Sequence, residues 1–432
     1  MKKILLSLSI LISGITTAQY VDKAGSAAAS GAVHSYYHDQ VDNLLYAIGP
    51  VSNAGGQTIS GVMSWNGSDW TPKGDQTLLG GPLITGAYNS ITRHKDTLYA
   101  MAAQINHSSG NPMSFLMYWD AAAGNWKNKS YGVFGNEYTL VSYSDTLFIV
   151  GNISGGLDLS EDISKYASLG KMAYWSGGKW NNYGTNPSFN GNPKGAVIVN
   201  GALYVENYKY QNGVWTDLGT MQTIHSIGKW GSKVVYSVET GVGNYSIMMY
   251  DGATLSTIGT TDAEVKSIAE FGDTLAVCGL GLKDVNGTTV NRVASYDGTT
   301  WRTVFPTYIQ GTGAFRLGGF HNQLLVSAEN GGWYDTSTGA VSIGSIVLVG
   351  GALTVDAKEI ENTSVVAFPN PSNGVVSFTS VCDAISVYSA TGQLLISKTN
   401  SQQVNLSGYA SGVYSVKIQI DGNSKVINLI KK

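Results

Sequence analysis

Apolar and polar residues alternate along most of this chain in short runs, broken by Gly, Asn, Asp and Ser. A period of two with frequent turn residues predicts half-buried strands joined by tight hairpins. One pattern recurs: an aromatic residue, a small polar turn, and a Trp a few residues on. It reads Trp65-Asn66-Gly67-Ser68-Asp69-Trp70, then Trp119-Asp120 with Gly124-Asn125-Trp126, then Trp175-Ser176-Gly177-Gly178-Lys179-Trp180. It continues as Tyr210-Gln211-Asn212-Gly213-Val214-Trp215, as Tyr250-Asp251-Gly252 with Leu255 in the Trp slot, and as Tyr296-Asp297-Gly298-Thr299-Thr300-Trp301. A degenerate copy is Tyr334-Asp335 with Val341. A second pattern, a polar turn and an apolar strand, precedes each copy. Examples are Asp42-Asn43-Leu44-Leu45-Tyr46, Asp96-Thr97-Leu98-Tyr99, Asp145-Thr146-Leu147-Phe148 and Gly272-Asp273-Thr274-Leu275.

The two patterns stay in phase through seven copies, roughly 45 residues apart, which is the size of a four-stranded propeller blade. In each unit a first strand turns into the apolar strand, a longer loop follows, and a third strand carries the aromatic. Asn-Gly or Asp-Gly then makes the hairpin to the fourth strand, because these residues tolerate positive φ. Trp on that fourth strand offers the large buried area with which one blade packs on the next. The units resemble kelch-like and cortical-marker-like blades, most closely where Asp284-Val285-Asn286-Gly287 leads to Tyr296-Asp297-Gly298 and Trp301. The expected fold is all-β: a β-propeller of about seven blades over residues 19–350. Six or eight blades stay open, because the apolar run from Ser345 to Val355 has no slot. That run either closes the ring beside the N-terminal segment or leads into the next domain.

The two ends read as addresses. Met1-Lys2-Lys3, an apolar run from Ile4 to Ile15, and Thr16-Thr17-Ala18 predict a signal peptide over 1–18, cut between Ala18 and Gln19. The run is short of the roughly 20 residues of a membrane span, and no transmembrane span is expected. At the other end, period-two runs with turns predict a small Ig-like β-sandwich over 365–432. Its segments Pro369-Asn370-Pro371 with Gly374, Tyr388-Ser389-Ala390-Thr391-Gly392-Gln393, Leu406 with Gly412-Val413-Tyr414, and the terminal Lys431-Lys432 closely resemble the type A sorting domain of the type IX secretion system. Ser389 stands where Asp or Asn is commoner in that family. The resemblance implies export by that machinery, removal of the tail by its protease, and in many members attachment to surface lipopolysaccharide. Residues 351–364 form the expected linker, with cleavage within 352–366.

Composition narrows the chemistry. Charged residues are 13% of the chain, against roughly 25% in an average soluble protein. Net charge is -3 and only Arg93, Arg292, Arg302 and Arg316 are arginines, so no cluster exists to read nucleic acid. Two cysteines, Cys278 and Cys382, fall in different expected domains and are expected to be free. No H-E-x-x-H, G-x-S-x-G or P-loop occurs. His34 and His38 sit four apart, and Asp158 to Asp162 and Asp284 to Gly287 look like partial calcium loops lacking the terminal Glu. None makes a metal, cofactor or catalytic site by pattern, and none is expected.

Two functions follow. The first is a non-catalytic, surface-displayed or secreted binding or adhesion propeller with a glycan or protein ligand. Tyr36, Tyr37, Trp230 and Trp333 are its candidate stacking aromatics outside the repeat slots. The second is a secreted glycan- or peptide-acting enzyme, with acids on long loops. Asp158, Glu161, Asp162 and Glu206 are the carboxylates to follow.

Overall fold

The structure is a computed structural model. It describes residues 20–23, 30–54, 56–58, 61–74, 90–106, 112–157, 168–184, 187, 189, 191–219, 221–305, 316–328, 346–350, 367–389, 394–420 and 423–432. Strands and turns make up the described residues, with no helix among them. The chain divides into two compact units, Met1–Ala352 and Leu353–Lys432.

In the larger unit the twin patterns become antiparallel meanders. The first is Ser35–Asp39, Leu44–Gly49, Gly61–Trp65 and Trp70–Pro72, hydrogen-bonded in that order. The fourth is Ala196–Val199, Ala202–Val205, Tyr208–Gln211 and Val214–Asp217, and the sixth is Ser267–Phe271, Thr274–Cys278, Val293–Tyr296 and Trp301–Thr303. The fifth runs Thr223–Trp230, Lys233–Gly241, Asn244–Tyr250 and Leu255–Thr261, with a small hairpin, Asp284–Val285 and Thr288–Thr289, on its edge. Aromatic and Trp slots lie directly opposite each other across the outer hairpin: Trp65 with Trp70, Trp119 with Trp126, Trp175 with Trp180, Tyr210 with Trp215, Tyr296 with Trp301. Tyr250 faces Leu255 in the same way.

Two sheets depart from the expected isolated meander. Asn125–Tyr143 is one strand of 19 residues. Its first half closes the second meander (Ser90–His94, Thr97–Asn106, Pro112–Asp120) and its last residues open the third (Thr146–Leu157, Met172–Ser176, Lys179–Asn182), giving one seven-stranded sheet. No Pro or Asn-Gly pair interrupts 125–143. Glycines bend it instead: register breaks follow Phe134 and Asn136, and a Cβ on Gly132 (φ 106°) would lie 1.8 Å from the Ser114 carbonyl oxygen. The second departure is the last meander. Arg316–Phe320 pairs with Gln323–Ser327, and the third place is taken by Ile346–Gly350, the apolar run without a slot. The fourth place is taken by the N-terminal strand Tyr20–Lys23. Tyr334 and Val341, assigned to these slots by the repeat, lie outside the described residues.

The innermost strands touch in a cycle: 35–39 with 90–94, then 139–143, 196–199, 223–230, 267–271, 316–320, and back to 35–39. Hydrogen bonds cross each step. Arg93 Nε donates to both Asp39 oxygens at 3.0 and 2.9 Å, and the Leu140 amide donates to Ser90 Oγ at 3.0 Å. Tyr143 Oη donates to the Gly201 carbonyl at 3.1 Å, and Asn200 Nδ2 to the Ser232 carbonyl at 3.2 Å. The Gly231 amide reaches Glu270 Oε1 at 2.9 Å, and the Leu317 amide reaches Ser267 Oγ at 3.1 Å. Arg316 Nε donates to the His34 carbonyl at 3.0 Å. An innermost strand is a sheet edge with unpaired amides, so a Ser on the preceding sheet supplies the missing acceptor.

The smaller unit is one connected five-stranded sheet: Ala367–Phe368, Val375–Tyr388, Gly412–Ile420 and Asn423–Lys431, with Leu394–Asn405 on Val375–Tyr388. The expected short strands fuse into two long ones. A break in register between Ser377 and Cys382 divides the first, and Val376, Phe378, Ile385 and Val387 from both halves meet in one core with Val404, Tyr414, Val416 and Leu429.

Candidate binding channel

A cavity of about 650 Å³ runs along the innermost strands of the larger unit, and each of the seven contributes to its wall. Leu140, Val197, Ile198, Ile227, Ile268 and Leu317 make an apolar waist. Glycine shapes it: a Cβ on Gly319 would lie 1.7 Å from the Glu270 carbonyl oxygen, and one on Gly318 would strike the Tyr36 ring. Inner hairpin turns crowd one mouth. One residue before the end of each inner strand stands, in order, His38, Arg93, Ser142, Ile198, Lys229, Glu270 and Gly319. This mouth is therefore mixed in charge.

Most of its charge is already committed. Arg93 Nη2 bonds Asp39 at 2.5 Å and Asp42 at 2.7 Å, with Asp39 1% exposed, so this pair ties two sheets together. Lys229 Nζ lies 3.8 Å from Glu270 Oε2. His38 packs edge-on to Phe320 and His321, with centroids 5.1 and 5.5 Å away. Burial, with His321 and Lys229 nearby, holds its imidazole below the ordinary value. Its Nε2 is buried without a hydrogen-bond partner.

The structure sorts the other candidates. His34 donates its backbone amide to the Ile48 carbonyl at 2.8 Å. Among the described residues no three His, Cys, Asp or Glu converge as a metal cluster. Asp284 is a turn residue whose Oδ1 accepts the Gly287 amide at 2.9 Å. Tyr36 packs in the core beside Trp65 and Trp70, and Trp230 Nε1 donates to the Asp273 carbonyl at 2.9 Å while its ring meets Tyr296. Both therefore hold sheets together, and so does Tyr37, a half-buried channel residue that packs on the core of the first two sheets and is hydrogen-bonded with Thr92 and the Arg93 backbone. Trp333, Asp158, Glu161 and Asp162 lie outside the described residues, as do Ala18 and Gln19. Glu206 is 6% exposed at a turn with φ 52°, and burial lifts its carboxyl to about 7 although the Lys194 amide partly offsets this. Cys278 and Cys382 are free and buried, one in each unit.

A group that the repeat pattern gave no reason to single out stands where the Thr223–Trp230 strand begins, at the end of the sheets away from the inner hairpins. His225 Nδ1 lies 2.8 Å from Glu264 Oε1 and its Nε2 3.4 Å from Glu239 Oε2. Lys266 Nζ bonds the same Glu264 oxygen at 2.5 Å. Burial raises the Glu264 carboxyl, but His225 and Lys266 outweigh it and hold it at about 2. His225 and Glu239 stand on paired neighbouring strands, while Glu264 and Lys266 come from the loop before Ser267–Phe271, so no compact motif along the chain signals the group.

In the smaller unit the motif residues knit the start of the sheet to its end. Asn370 Oδ1 accepts the Ile430 amide at 2.8 Å. The Ser372 amide bonds the Ile430 carbonyl at 2.8 Å, and the Lys432 amide bonds the Ser372 carbonyl at 2.9 Å. Gly374 sits against Ser407, whose Oγ would be 2.3 Å from any Cβ there. Tyr414 Oη donates to the Ala410 carbonyl at 2.5 Å, and Lys431 Nζ reaches the Ser407 and Tyr409 carbonyls. Pro369 and Pro371 flank Asn370, while Gly412 opens the Gly412–Ile420 strand. Gly392 lies outside the described residues.

Residues 366–432 match the family model of the secretion system C-terminal sorting domain. The sorting domain places the protein outside the cell or on its surface, exported by the type IX secretion system. No curated protein matches the chain. Similar solved structures include YjhT (12% identity, TM-score 0.40, covering 76% of this chain and 96% of that one). Another is the extracellular domain of the hybrid two-component system BT4673 from B. thetaiotaomicron (12%, TM-score 0.46, 96% and 59%). A third is the GH74 enzyme of Niastella koreensis (12%, TM-score 0.32, 95% and 92%). The chain thus spans about three-fifths of the BT4673 domain.

Proposed function

We propose that residues 19–350 form a seven-bladed, kelch-like β-propeller that the sorting domain delivers to the surface or the medium, where its channel binds a glycan or protein ligand without transforming it. The cyclic order of the seven innermost strands around one cavity carries this reading. A cavity of this volume suits a small ligand or the tip of a larger one. The signal peptide is removed after Ala18, the tail is removed within 352–366, and the remaining propeller is released or joined to surface lipopolysaccharide.

The enzyme alternative has less support. It requires carboxylates that converge on the channel, and Glu206 is enclosed in its own turn. Among the described residues, the carboxylates that approach each other are already engaged, Glu239 and Glu264 by His225 and Lys266, and Asp39 and Asp42 by Arg93. Glycan and peptide arrays probed with the mature secreted protein test the binding reading. Ile198, 38% exposed in the wall, is the position at which to plug the cavity. Ile198→Trp should weaken a captured ligand at least tenfold; a ligand held equally by the plugged variant would place binding elsewhere.

A further inference from the structure

We propose that His225 and Glu239 hold a divalent transition-metal ion, of which Zn²⁺ is the probe, with water completing its coordination. Glu264 Oε1 lies 2.8 Å from His225 Nδ1, and an ionised carboxylate only accepts, so the ring proton sits on Nδ1. In the neutral ring Nε2 then carries a lone pair. It is buried, makes no hydrogen bond, and faces Glu239 Oε2 at 3.4 Å. The other Glu239 oxygen, Oε1, accepts the Gly243 amide at 3.1 Å, which fixes the carboxylate with Oε2 toward the ring. Two fixed acceptors facing each other need a positive charge between them, either a second ring proton or a cation.

Metal spacing fits this gap. Bonds of about 2.0–2.2 Å at a tetrahedral angle set neighbouring N and O donors roughly 3.3 Å apart. A carboxylate on the far ring nitrogen is the usual orienting partner of a metal-bound His, and Glu264 holds that place with Lys266 behind it. An imidazole with a carboxylate suits Zn²⁺ and its neighbours, whereas Ca²⁺ takes oxygen alone. Only two protein donors face the ion, in keeping with the lack of any converging group of three among the described residues. The side chains of His225 and Glu239 remain 14% and 26% exposed, so the pair stands near the surface although Nε2 itself is covered.

The test is calorimetric titration of ZnCl₂ into the tag-free, EDTA-treated full chain at pH 7.5, with excess Ca²⁺ present. One saturable site is expected, weakened at least tenfold in H225Q and in E239Q and about 10- to 100-fold in E264Q. Melting curves check that the variants are folded. Should H225Q unfold, E239Q decides, since its amide oxygen can still accept the Gly243 amide. No saturable Zn²⁺ binding in the parent chain would mean that a proton alone fills the gap, and binding unchanged in E239Q would equally overturn the assignment.

Discussion

Single residues carry this fold unevenly. Trp301 is 4% exposed and its Nε1 donates to the Ile258 carbonyl at 2.8 Å on the preceding sheet; Trp126 makes the matching bond to Lys73. Trp215 is only half-buried and its indole nitrogen has no partner. Trp301→Ala should therefore cost about 3–5 kcal/mol in chemical denaturation, and Trp215→Ala distinctly less. The repeat showed that these positions are equivalent along the chain; it could not show which indole finds a carbonyl, because that depends on the neighbouring sheet. Glu206 makes a second prediction. Its carboxyl titrates at about 7 when folded and near 4.5 when unfolded, so folding favours the protonated form. Stability from this group is complete below about pH 4.5 and is lost as pH rises through 7. Glu206→Gln should stabilise by up to about 3 kcal/mol at pH 8 and hardly at pH 4, in denaturant midpoints measured across that range.

At the scale of elements, turn chemistry was legible and strand continuity was not. Asn66, Asp120, Asp251 and Asp297 each accept the amides two and three residues on, which is why the outer hairpins need Asn or Asp there. The fused Asn125–Tyr143 strand gave no such sign, because bulges at glycine rather than turn residues redirect it. Of the two places the sequence left open for the apolar run at 345–355, the structure takes the first: Ile346–Gly350 pairs with the N-terminal strand Tyr20–Lys23, more than 300 residues away. That pairing makes a test. Deleting residues 20–23 from the mature chain bares one edge of Ile346–Gly350, the third strand of the last sheet. The truncated chain should melt several degrees lower and aggregate more readily; an unchanged melting curve would show that the terminal strand does not close the sheet.

Over the whole molecule, the tail was the most readable part, since Asn370, Gly374, Tyr414 and Lys431 do in the sheet what a fixed motif requires of them. The channel was readable only as a consequence of the repeat, and His225 with its glutamates not at all, because Glu239 and Glu264 stand 14 and 39 residues further along the chain and outside any motif. Export is where the account is most exposed to refutation. The decisive measurement is fractionation of cells with a working type IX system, expressing either the full chain or one lacking residues 366–432. The full chain should reach the surface or medium, and the truncated chain should remain in the periplasm, folded and protease-resistant. Equal amounts of both at the surface would contradict the account.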